Sequence, residues 1–125
     1  MPKTIHAEGA PAAVGPYVHA VRVGDLLYTS GQVGLDPATG KLVSGGIEAE
    51  TRRALENLQA ILRTAGSGFD RVVKASVFLT DMDEFAAMNG VYASFFGETR
   101  PARTTVAVSR LPVGARVEID LVATF

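Results

Sequence analysis

The stretch IEAETRRALENLQAILRTAG, residues 47–66, constrains this chain more than any other. Ile47, Thr51, Ala54, Leu55, Leu58, Ile61, Leu62 and Ala65 recur at the i, i+4, i+7, i+8 spacing of one buried helix face. Glu48 and Glu50 fall in its first turn and Arg63 near its end, which suits the helix dipole. Gly66 is a natural stop. One other stretch shares the period. Asp81, with Glu84 three residues on, makes a capping-box-like start. Phe85, Met88, Tyr92, Phe95 and Phe96 then form an inner stripe, closed by Gly97. Two amphipathic helices cover one side of a sheet, so the sheet's other side must meet solvent or another subunit.

The rest of the chain supplies that sheet. Residues 17–32, YVHAVRVGDLLYTSGQ, read as two strands about Gly24-Asp25, with glycine placed for a type II′ hairpin. Asp-Pro and Thr-Gly steps in LDPATGKLV mark a surface loop, and a short strand fits Lys41–Ser44. In RVVKASVFLT, residues 71–80, Val73, Ala75, Val77 and Leu79 form an apolar row. Val72, Lys74, Ser76, Phe78 and Thr80 make a mixed one. Arg103–Ser109 and Ala115–Phe125 read as two strands joined through RLPVG. The order β-β-(β)-α-β-α-β-β predicts an α+β fold, a mixed sheet of about six strands with two helices packed on one face. On the last strand Val117, Ile119, Leu121, Ala123 and Phe125 face the helices, opposite Glu118, Asp120, Val122 and Thr124. That opposite row is half apolar, and a half-apolar open sheet face predicts a homo-oligomer.

Length and composition narrow the function. The 125 residues fit one domain, 1–125. The chain is 47% hydrophobic, mostly through Ala and Val rather than a long run. No stretch approaches the roughly 18 apolar residues of a membrane span, and residues 1–17 carry no apolar signal core. The absence of cysteine excludes disulfides, thiolate metal sites and a thiol nucleophile, and fits a reducing cytoplasm. Net charge is −1, and the densest basic spots, Arg52-Arg53 and Arg100 with Arg103, are too sparse for a phosphate track. A small ligand is expected, with no nucleic acid and no membrane.

Few residues carry candidate chemistry. His6 and His19 have no metal-ligand spacing, so no metal is expected and both read as surface or satisfied strand histidines. SGGIEAE lacks a phosphate-loop pattern and reads as a flexible start to the long helix, while VGPY and AGSG read as turns. Ser30, in YTSGQ, has no G-x-S-x-G frame. It suits a hydroxyl donor to a ligand, with Gly31 beside it permitting close backbone approach. Asn89 in the second helix costs propensity, which fits a specific hydrogen bond or plain exposure. Arg103 and Glu118 stand on strands. They read either as a structural pair or solvated edge charges, or as a guanidinium fork for a carboxylate with a proton-exchanging acid nearby. A tight hairpin centred near residue 113 would not make them direct cross-strand partners.

At these positions the chain resembles the Rid/YjgF family, the reactive intermediate deaminases. RPARTTVAVSRLPVGARVEIDLVA is similar to the family's C-terminal signature, APAAVGPYVHAVRVGDLLYTSGQVGLDPATGKLV to its N-terminal half, and ALENLQAILRTAGSGFDRVVKASVFLTDMDEFAAMNGVYASFF to its centre. The resemblance implies a chorismate-mutase-like fold and a homotrimer with ligand clefts between subunits. It implies cofactor-free hydrolysis of 2-imino or 2-enamino acids to 2-oxo acids and ammonia, of the 2-iminobutanoate/2-iminopropanoate deaminase type. Carried over by residue, it assigns Arg103 to the substrate carboxylate and Glu118 to the water or imine nitrogen. Tyr17, Ser30, Gly31, Asn89 and Thr105 become pocket positions. Thr105 stands where many members have cysteine, and Thr104 where a smaller residue is common. Alternatives are a non-catalytic binding module for 2-oxo acids or related carboxylates and, least favoured, an endoribonuclease-type translation inhibitor.

Overall fold

A computed structural model describes residues 1–125. Six strands, β1 Lys3–Ile5, β2 Ala20–Val23, β3 Leu26–Thr29, β4 Val72–Leu79, β5 Ala102–Ala107 and β6 Val117–Ala123, form one sheet. Helices α1 Gly46–Ala65 and α2 Phe85–Phe96 pack together. The strand order is β1-β2-β3-β6-β4-β5, antiparallel throughout except for the parallel β4–β5 pair. This is the expected α+β arrangement of a mixed six-stranded sheet and two helices.

The long helix forms as its period predicts. Leu55, Leu58, Ile61 and Leu62 of α1 are fully buried, with Ala75, Val77 and Leu79 of β4 and Val117, Ile119 and Leu121 of β6 in the same core. Each such aliphatic side chain contributes about 1.5–3 kcal/mol. Gly66 ends α1 at φ 87°, its N–H donating to Leu62 and Arg63 carbonyls. Gly24 turns the β2–β3 hairpin at φ 58° with no positive φ at Asp25, the type II′ geometry expected.

Several expectations change. The last two strands do not form a hairpin, because β4 lies between β5 and β6. The connection after β5 crosses the end of β4, where Val108 N–H donates to Leu79 O and Thr80 N–H to Arg116 O. A bulge between Val72 and Lys74 puts Val72, not Val73, in the buried row, leaving Val73 46% exposed. Val91 replaces the exposed Phe85 in the buried face of α2. Lys41–Ser44 forms only a Leu35–Leu42 bridge, whereas Lys3–Ile5, unassigned from sequence, adds strand β1 beside β2. Asp81 Oδ1 accepts Asp83 N–H as a cap, but the Glu84 carboxylate turns instead to Arg116.

Candidate active site

The candidate residues gather in two places on one protomer. Tyr17, Ser30, Gly31 and Glu118 line a cleft of about 670 Å³, walled by Val33, Leu35, Pro112 and Val113. Arg103 and Asn89 line another of about 390 Å³, with Tyr92, Arg100 and Pro101. Thr105 is half-buried on β5 and lines neither cleft. Sheet register explains the division. Arg103 pairs with Ala75, whose side chain is buried beneath the helices, whereas Glu118 pairs with Phe78 on the open face. The two residues therefore project from opposite faces with β4 between their strands, and no diagonal or bulge within one chain brings them together.

Arg103 sits on the edge strand over an aromatic floor. Its guanidinium carbon lies 4.7 Å from the Tyr92 ring centroid and 5.6 Å from that of Phe85. Stacking of this kind holds the planar head while leaving its N–H fork available. Arg103 makes no ion pair; those of the chain involve Arg53, Arg71 and Arg116. The Tyr92 hydroxyl and Asn89 Oδ1 are buried with no well-formed hydrogen bond, and the Arg103 guanidinium lies against the Tyr92 side chain. Burial raises the Tyr92 pKa, and the Arg103 and Arg100 charges pull it part of the way back.

The Glu118 cleft is shaped by a departure of β3 from β6. After Tyr28 pairs with Val122, Thr29 Oγ1 accepts Leu121 N–H at 2.9 Å in place of a backbone carbonyl. The chain rejoins at Gln32, which exchanges two backbone hydrogen bonds with Ile119 at 2.8 and 3.0 Å. Gly31 lies in this irregular step with Glu118 packed across its Cα, so a Cβ there would collide with Glu118 Oε2. Ser30 Oγ donates to Val18 O at 2.6 Å. Its proton is thus committed to the backbone, and the hydroxyl presents lone pairs to the cleft rather than the donor expected from sequence.

Two buried polar residues of α1 brace the cleft walls: Asn57, given no role by the sequence, and Glu50, expected only to complement the helix dipole. Asn57 Nδ2 donates to Val33 O at 3.2 Å and Leu35 O at 2.9 Å. Glu50 accepts Arg116 N–H at 2.8 Å, and the Arg116 head reaches Glu84 at 3.0 Å. Their signal was available: seven residues apart, Glu50 and Asn57 share a helix side next to the apolar stripe. His19 is satisfied but lies just before β2 rather than on a strand, its Nδ1 accepting Ala7 N–H at 2.8 Å and its Nε2 lying 2.7 Å from Pro11 O. Gly45, before α1, and Gly46, its first residue, have φ 118° and 78°, so they form a left-handed lead-in to the helix. No group of three His, Asp or Glu side chains converges as a metal site, and no helix is long and apolar enough to cross a membrane.

Burial raises the Glu118 pKa, and the Asp120 charge on the same face raises it further. Above the ordinary carboxylate range the unfolded chain has released this proton while the folded one retains it, so stability falls as pH rises to the folded pKa. Glu118→Gln removes that pH-dependent loss. Thermal melts of the two proteins are expected to show the variant gaining more on the parent at pH 8 than at pH 4. An equal difference at both pH values would contradict the elevated pKa.

The family model described as endoribonuclease L-PSP matches residues 7–125. The chain belongs to this family, known also as Rid/YjgF. The mouse Rid/YjgF protein named 2-iminobutanoate/2-iminopropanoate deaminase is 49% identical over 97% of this chain and 90% of its own length. A Thermotoga maritima crystal structure superposes with a TM-score of 0.97 at 47% identity, covering 100% of this chain and 98% of that one. Escherichia coli TdcF with bound serine has a TM-score of 0.94 at 39% identity, with 98% of each chain covered. Full-length similarity of this kind places both clefts within the shared Rid/YjgF fold.

Proposed function

We propose that this protein hydrolyses 2-imino and 2-enamino acids to 2-oxo acids and ammonia, in sites completed between copies of a cytoplasmic homotrimer. The observation that carries the reading is Arg103, free of any ion pair and lying over Tyr92 beside a cavity, in a chain 49% identical to a named imino-acid deaminase. The trimer reading rests on the two separate clefts and on the open sheet face, where Tyr28 and Val106 are 46% and 40% exposed. One copy supplies Arg103 and its neighbour supplies Glu118. The one-domain reading of residues 1–125 and the cytoplasmic location, the latter resting on the lack of cysteine, belong to the same proposal.

Arg103 binds the carboxylate of the protonated imine and fixes its carbon relative to the neighbouring Glu118. Water attacks that carbon, giving a carbinolamine, while Glu118 accepts the water's proton. Glu118 returns the proton to the amine; as the C–N bond breaks, the Glu118 carboxylate takes the hydroxyl proton, the carbonyl forms, and the proton passes to the departing ammonia. Burial and the Asp120 charge raise the Glu118 pKa, which makes its carboxylate a stronger base for the water's proton. Imines already hydrolyse in water, so positioning and a relayed proton supply the remaining acceleration.

Complementation tests the composite site. Arg103→Ala and Glu118→Gln, each inactive alone, are co-expressed at equal levels and assayed by coupling to threonine dehydratase. Random assembly should regenerate about one quarter of the wild-type sites. No activity beyond the sum of the separate variants would exclude sites shared between copies. The binding-module alternative, which the serine-bound relative favours, predicts saturable binding without accelerated imine loss. For the ribonuclease reading, His19 is an unsuitable acid–base group, since both its ring nitrogens engage the backbone.

A further inference from the structure

The Arg103 cavity carries more positive charge than one carboxylate needs. Arg100 and Arg103 both line it, no acidic side chain of the same copy does, and neither guanidinium forms an ion pair within that copy. Pro101 between them restricts the segment that presents them. Asn89 and Tyr92, the latter only 5% exposed, complete the wall between the two arginines.

We propose that this cavity recognises a dianion, a 2-imino acid whose side chain ends in a second carboxylate. This specificity rests on the imino-acid reading for its chemistry, but its binding geometry stands on the paired arginines. Arg103, stacked on Tyr92, holds the carboxylate next to the imine. Arg100, exposed at the rim, meets the carboxylate at the far end of the side chain. A cavity of about 390 Å³ lies within the ordinary range for a small-molecule site. A monocarboxylic substrate would use one arginine and leave the other unpaired.

The test is calorimetric titration of the intact protein with two stable product-like acids, 2-oxoglutarate and 2-oxobutanoate. 2-Oxoglutarate is expected to bind about tenfold more tightly, the scale of one added charge-assisted contact. Arg100→Gln should bring the ratio of the two affinities close to one, whereas Arg103→Gln should weaken both acids. Equal affinities in the parent, absence of 2-oxoglutarate binding, or an unchanged ratio in Arg100→Gln would each overturn the proposal. Imine hydrolysis is measured separately on the same preparations. Its absence alongside selective dianion binding would remove the deaminase reading and leave the dianion site standing. Its presence without that selectivity would do the reverse.

Discussion

Arg103→Ala is expected to lower kcat/KM for 2-imino acid hydrolysis by about two to three orders of magnitude, the loss that follows truncation of one partner in a desolvated charge pair. The side chain stands on an edge strand over Tyr92 and Phe85 and supports no ion pair of the fold. Thermal stability should therefore change little while activity collapses. Two effects combine. Loss of the carboxylate contact raises KM, and loss of orientation lowers kcat because the imine carbon is no longer held against its water. Arg103→Lys restores the charge but not the planar fork, so it should recover only part of the loss. Wild-type rates from Arg103→Ala in the dehydratase-coupled assay would remove this residue from the mechanism.

Asn57→Ala should have the largest effect on stability among the polar residues that shape the clefts, about 2–4 kcal/mol. It deprives the Val33 and Leu35 carbonyls of their shared donor, at about 1–3 kcal/mol for each group left unsatisfied, and opens a small void in a fully buried position. The expected drop in Tm is roughly 10 °C. Asn57→Asp should be worse still, since a carboxylate would face two carbonyl oxygens. Val33 and Leu35 also wall the Glu118 cleft, so kcat should fall at temperatures where the variant remains folded. A variant with lower Tm but unchanged kcat would show that Asn57 serves stability alone.

These two residues differ in how far the chain announces them. Arg103 is conspicuous in sequence because a charge opens a strand of small and β-branched residues. Even so, alternation alone left it open as a rim charge, and the match to family motifs gave it a proposed role. Asn57 sat unremarked inside a helix whose apolar stripe was correctly read. A buried amide is legible only when its acceptors are known, and those lie 22 and 24 residues away on a loop. Ser30 shows the same limit. Its position at the cleft was readable, but the direction of its hydrogen bond depended on the Val18 carbonyl across the hairpin.

Local periodicity was sufficient for the two helices, the buried row of β6 and the Gly24 turn, because each depends on side chains a few residues apart. It could not yield the order of the last strands, since RLPVG suits a hairpin and a crossover equally well. Only the tertiary structure separates Arg103 from Glu118, by placing β4 between their strands and by a register that puts them on opposite faces. Residues spaced along a chain have no common face until register assigns one. That is why two candidate site residues fifteen positions apart in sequence become, in the folded protomer, the halves of two different clefts.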